Sequence, residues 1–266
     1  MENILEQIVG EKRRSLTGVA PYALQEILAL IASAGYRSNP WNQLMKNRDE
    51  PVIIAEIKLG SPSRGAILKP DAVLPLLKEY HQGGASALSV VTEEQYFQGN
   101  MALLQKVIQH THLPVLRKDF ILEETQIYES ARLGVSALLL IARILSLSRL
   151  RKFIFLCELL KIVPLVEIHD RGDLELAINA GAGYIGINNR NLSTLEVSLS
   201  TTETLLPWIP AQTTVVCESG IHSREDIQHF MSLGVRHFLI GEHFLFHAHP
   251  GCALQNLKGE KKVDVG

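Results

Sequence analysis

From Pro51 onward, short apolar runs rich in β-branched residues alternate with amphipathic stretches of helical period, and no other feature constrains the fold as much. The apolar runs fall at 52–58, 86–91, 114–118, 136–141, 163–168, 184–188, 213–218 and 237–240. Between them, 71–80, 100–109, 123–133 and 170–180 carry apolar residues at helical spacing, and Asp or Asn opens several of them as an N-cap. Strands that alternate with helices pair in parallel through right-handed crossovers. A longer period is laid over this one. GGASALSVV, LGVSALLLI, AGAGYIGIN and LGVRHFLIG each join a helix-ending glycine to an apolar strand. Their glycines, Gly84, Gly134, Gly181 and Gly234, recur about every fifty residues, which is two βα units per step. Eight such units predict a closed (β/α)8 TIM barrel. Ile4, Ile8 and Leu16, and then the stretch 22–34, predict two helices ahead of it. The expected organisation is an N-terminal helical extension over 1–50, a barrel over 51–258 and a polar tail over 259–266.

The odd-numbered strands differ from the even ones in how they end. PVIIAEIK, PVLRKD, PLVEIHD and VVCESG finish in charge, at Glu56 and Lys58, Lys118, Glu167 and Glu218. Side chains alternate along a strand, so Val52, Ile54, Glu56 and Lys58 share a face, as do Val163, Leu165 and Glu167. Alternate strands of a barrel supply alternate interior layers, so these four tips are expected to meet in one charged layer at the carboxyl-terminal mouth. Burial there would raise the pKa of Glu167 and ease deprotonation of Lys118, fitting them for acid–base work. One of Arg117 and Lys118 faces inward, and the other is free for a structural ion pair. For any one of these residues alone, a salt bridge is an equally good account.

Around these tips lie loops suited to an anionic ligand. Gly60-Ser61-Pro62-Ser63 follows the first strand, without the spacing or the Lys-Ser/Thr of a nucleotide P-loop. Asn188 and Arg190 follow the sixth, offering amide and guanidinium donors, though turn asparagines also bond the backbone. Ser219-Gly220 and Gly241-Glu242 follow the seventh and eighth strands, where barrels present backbone N–H groups to phosphate. Tyr96-Phe97 could wall a ring pocket or cap the core.

Composition excludes other classes. The net charge of −2 gives no bulk attraction for nucleic acid or anionic membrane. Cys157, Cys217 and Cys252 form no C-x-x-C pair, and His243, His247 and His249 lack an acidic companion, so neither a zinc site nor another metal is expected. No charged-then-apolar leader opens the chain and Arg143 interrupts its strongest apolar run, so the expected location is cytoplasmic.

Together, IAEIK with SPSRG, LRKDFI, LLLIARIL, LVEIHD, IGINNRNL and ESGI, in this order, closely resemble the indole-3-glycerol phosphate synthase family. The resemblance runs over nearly the whole chain. It implies a (β/α)8 barrel with an N-terminal helical extension. The implied reaction is ring closure of 1-(2-carboxyphenylamino)-1-deoxyribulose 5-phosphate with loss of carbon dioxide and water, without a cofactor. By position, Lys118 resembles the general acid at the substrate carbonyl and Glu167 the carboxylate that assists dehydration. Lys58 resembles the lysine that grips the substrate anions and donates a proton later, and Glu56 the acid that orients the lysines. Asn188 and Arg190 match substrate-positioning groups. Ser61, Ser219, Gly220, Gly241 and Glu242 match the phosphate site, Glu242 through its backbone N–H. Phe97, Phe120, Leu139 and Leu192 match the walls of the anthranilate pocket. The chain departs from the family pattern at Leu59, Gly60 and Arg64 in the first loop and at Glu242-His243-Phe244 after the last strand. The implied partner is a phosphorylated small molecule, with no nucleic acid and no membrane; a monomer and a weak dimer are both compatible with the sequence. Another phosphate-binding barrel, such as a phosphoribosylanthranilate isomerase with Cys217 in a catalytic role, and a non-catalytic sugar-phosphate binder are the competing readings.

Overall fold

A computed structural model of the protein describes residues 4–35, 38–46, 49–191 and 194–259. Among the described residues, eight strands form the barrel: β1 Val52–Ile57, β2 Ala87–Val91, β3 Val115–Lys118, β4 Ala137–Ile141, β5 Val163–Ile168, β6 Tyr184–Asn188, β7 Thr214–Glu218 and β8 His237–Ile240. Neighbouring barrel strands all pair in parallel, and β1 pairs with both β2 and β8, which closes the barrel. The strands are buried on both faces, hence their near-continuous apolar runs.

The helices form for local reasons. Asn100 accepts from the Leu103 N–H and Asp170 from the Asp173 N–H, so two of the expected caps are made. Asp71 makes none and lies instead in a single 3-10 turn, Pro70–Ala72. Gly84, Gly134, Gly181 and Gly234 all have positive φ, the left-handed conformation that lets the chain leave a helix for the next strand. A helix over Pro250–Lys258 ends the described chain, and all but the first residue of the expected polar tail lies outside the described residues.

Among the described residues, three helices precede the barrel: α1 Ile4–Leu16, α2 Leu24–Gly35 and α3 Pro40–Leu44. They run from one end of it to the other. α1 buries Leu5, Ile8 and Val9 and sends Lys12 to Asp119, just past the carboxyl end of β3, at 2.8 Å. α2 lies on the helix Glu124–Leu133. At the opposite end, the Asn39 amide donates to the carbonyls of Ser136, the residue before β4, and Lys161, two residues before β5, and Trp41 is wholly buried. No described helix is long and apolar enough to cross a membrane.

Candidate active site

The four odd strands do converge. Lys118 ends β3 and points into the mouth, where its Nζ stands 2.7 Å from Glu218 of β7, 3.3 Å from Glu167 of β5 and 3.9 Å from Glu56 of β1. One lysine is thus ringed by a carboxylate from each of the other three odd strands, the layer that barrel geometry predicts. Arg117 faces the other way and pairs with Asp119 at 2.9 Å and Glu129 at 3.0 Å.

The electrostatics differ from the sequence expectation in two places. Burial works to lower the Lys118 pKa, but Glu218, Glu167 and Glu56 outweigh it and hold the ammonium well above the ordinary lysine range. Lys118 is therefore not easily deprotonated at rest. Burial works to raise the Glu167 carboxyl, but Lys118 and His169 bring it below the usual range. The raised carboxyl is Glu218, which is wholly buried and is pushed up to about 7 by that burial, with Glu167 and Glu56 adding to it against Lys118. Glu56 stays low because Lys58, 2.9 Å away, and Lys118 outweigh its burial. The sequence marks Glu218 as a charged tip without assigning it a role; its place in the same layer as Lys118 is the signal for one.

Two glycines make this packing possible. A Cβ on Gly186 of β6 would strike the Glu218 carboxylate, and one on Gly241 would lie 2.6 Å from Glu56 Oε1. Gly241, expected as a source of an anion-binding N–H, is thus also the space that Glu56 occupies.

Asn188 Oδ1 accepts from Ser219 Oγ at 2.9 Å and from the Arg190 N–H at 3.0 Å. Ser219 and Gly220 both have positive φ, so the chain turns sharply at the end of β7. Arg190 donates to the Glu242 carboxylate at 2.8 Å, and Lys58 lies 3.7 Å from the same oxygen. The Glu242 side chain therefore belongs to the site, beyond the backbone N–H expected of it.

A cavity of about 360 Å³ opens above this layer. Glu56, Lys58, Lys118, Glu167, Asn188 and Arg190 line its polar part, and Ser219, Gly220, Gly241 and Glu242 form one side. Phe97, Phe120 and Leu139 supply an apolar wall. Leu192 lies outside the described residues. Glu93, to which the sequence alone assigns no role, is buried and accepts the Gln95, Tyr96 and Phe97 N–H groups, fixing the loop that carries Phe97. Ser61 does not reach this cavity. It lines a smaller one of about 70 Å³ between the first loop and α1, which shares Lys58, Arg190 and Glu242 with the main cavity.

The departures in the first loop have a structural basis. Gly60–Ser61 pairs antiparallel with Gly65–Ala66, and a Cβ on Gly60 would meet the Gly65 carbonyl at 2.9 Å. Leu59 is buried, and its carbonyl accepts from Ile67 and Leu68. Arg64 lines the cavity and lies over the Phe246 ring, 5.4 Å from its centroid. Among the described residues, no three His, Cys, Asp or Glu side chains are grouped to hold a metal.

Solved structures share this architecture at low identity. A 3-hexulose-6-phosphate synthase superposes with a TM-score of 0.64 at 13% identity, covering 79% of this chain and 100% of that one. Sequence relatives are nearer. An indole-3-glycerol phosphate synthase of Albidiferax ferrireducens is 40% identical over 262 residues, 97% of this chain and 98% of that protein. One of Acetivibrio thermocellus is 46% identical over 244 residues, 91% and 94% of the two. The family model described as indole-3-glycerol phosphate synthase matches residues 5–257. The charged layer of the odd strands, the cavity above it and these matches along the chain have one reading: the protein belongs to the indole-3-glycerol phosphate synthase family.

Proposed function

We propose that the cavity binds 1-(2-carboxyphenylamino)-1-deoxyribulose 5-phosphate and converts it to indole-3-glycerol phosphate, carbon dioxide and water, a carboxy-lyase step of tryptophan biosynthesis. The observation that carries the reading is Lys118 standing among Glu56, Glu167 and Glu218 beside an apolar wall. The phosphate lies against Ser219, Gly220, Gly241 and the Glu242 N–H, with Lys58 and Arg190 as cations and Ser61 at the adjoining end. The aromatic ring lies against Phe97, Phe120 and Leu139. Asn188 and Arg190 hold the substrate so that the aromatic carbon meets the carbonyl.

As that bond forms, Lys118 protonates the carbonyl oxygen. Its high affinity for protons is relieved when Glu218, 2.7 Å away, is protonated, and Glu218 can return a proton to the amine afterwards. The ring carboxylate then leaves as carbon dioxide, and its bonding electrons restore the ring. In the dehydration, Lys58 protonates the departing hydroxyl while Glu167, kept ionised, takes up the proton the substrate loses. Glu56 orients both lysines. The reading carries a cytoplasmic location with it, because a multiply charged phosphate ester stays in the compartment that makes it.

An isomerase reading centred on Cys217 has less support. The thiol is wholly buried against Asn189 and Thr202, and burial pushes its pKa up to about 11. A fluorescence assay for indole product tests the proposal. The expected result is turnover by the wild type, with kcat reduced about 10²-fold or more in Lys118→Ala and KM little changed. Binding without turnover would make the protein a sugar-phosphate binder; a large rise in KM with kcat intact would remove Lys118 as the acid.

A further inference from the structure

Behind Glu167, on the side away from the cavity, lies a buried histidine that the reaction above does not use. His169 follows β5, two residues after Glu167. Its Nε2 stands 3.3 Å from Glu167 Oε1 and its Nδ1 3.4 Å from Asp173 Oδ2, while its backbone N–H donates to the same Asp173 oxygen at 2.9 Å. Asp173, in the helix Arg171–Ala180, is held in turn by Arg143 from the turn after β4, at 2.8 Å through Nε. Arg143 also reaches Asp170 at 2.7 Å.

The groups alternate in sign from the barrel centre to the surface: Lys118, Glu167, His169, Asp173, Arg143, Asp170. From Glu167 outward exposure rises, from 2% and 4% at the Glu167 and His169 side chains to 62% at Asp170. A neutral imidazole has one N–H and one lone pair, so it would turn the lone pair to one of two carboxylates. Only imidazolium offers a donor to each. Neither ring nitrogen makes an aligned hydrogen bond, so the interaction is an ion-pair clamp rather than a fixed donor–acceptor pair.

We propose that His169 is a positioning residue for the lyase reaction: clamped as imidazolium between Glu167 and Asp173, it holds Glu167 in place as the ionised base. This rests on the reading of Glu167 as that base. Of the facing groups, Asp173 and Glu167 raise the His169 pKa to about 9 against burial and against the Arg143 cation. Lys118 acts on the far side of Glu167. The clamp divides the work of the carboxylates: Glu167, with two cations, stays charged, whereas Glu218, with Lys118 as its one cation among the described residues, carries a proton near neutrality.

The test is NMR titration of His169 combined with kinetics of His169→Gln and Glu167→Gln. His169 is expected to titrate near about 9 in the wild type and to fall toward the ordinary value of 6.5 in Glu167→Gln. In His169→Gln, kcat is expected to fall about 10-fold with little change in KM, and the acid limb of kcat/KM to move up by about one pH unit, because Glu167 has lost a nearby cation. A loss of stability alone would not move that limb. A wild-type titration at or below 6.5 overturns the clamp, even if the variant fails to fold. So does an unmoved acid limb in His169→Gln when Glu167→Gln is impaired. Unimpaired turnover by Glu167→Gln is the separate result that removes Glu167 as the base and the role of His169 with it.

Discussion

Glu218 and Glu167 are the same residue type at the same depth, yet they bind protons differently because their cation partners differ in number. This has a consequence for stability. The Glu218 carboxyl binds a proton more tightly in the folded protein, near about 7, than in the unfolded chain, near the ordinary 4.5. Its contribution is thus fully present below pH 4.5 and is lost as pH rises through about 7. Glu218→Gln has no such slope, so its melting temperature is expected to gain on that of the wild type from pH 5 to pH 8. A constant difference across that range would show that Glu218 is ionised throughout. The wild-type kcat/KM profile is expected to show an inflection near pH 7 from Glu218, and the same variant is expected to lose it.

At the scale of elements, the informative one is α1. Its apolar face covers the rim beside the first loop, and Ile4, Leu5 and Ile8 wall the small cavity that holds Ser61. Lys12 fastens it to Asp119, whose side chain is 1% exposed and which adjoins Lys118 in sequence. Asp119 keeps Arg117 when Lys12 is removed, so the loss is that of one charge-assisted hydrogen bond and not of a whole buried pair. Lys12→Met is expected to cost about 1.5–3 kcal/mol, read as a lower melting temperature and faster proteolysis within α1. Unchanged proteolysis would mean that Leu5, Ile8 and Val9 hold the helix without the ion pair.

For the molecule as a whole, the segment before β1 reaches both ends of the barrel, Lys12 at the mouth and Asn39 with Trp41 at the floor. Trp41 packs in the same core as the strands, whereas Trp208 is 58% exposed and stacked under Arg171. In a Trp208→Phe background, fluorescence therefore reports the extension alone. Its denaturant transition is expected to coincide with loss of far-UV circular dichroism and of activity, one cooperative unit. An earlier fluorescence transition would show that the extension melts independently of the barrel.

The periods of the sequence, two along the strands, 3.6 along the helices and about fifty for the doubled unit, determined the barrel and which strand ends carry charge, because each is a local property of the chain. That Arg117 and Lys118 face opposite ways follows from the same alternation, and the closed barrel puts Lys118 on the inside. The sequence could not decide how the charges interact once gathered, since Lys118 meets Glu218 from 100 positions away in the chain. Proton affinity depends on the sum of burial and neighbouring charge, and both are set only when distant strands close on one another. For that reason the raised carboxyl is Glu218 rather than Glu167, Lys118 is held charged, and His169, an ordinary residue in the string VEIHD, lies clamped between two carboxylates.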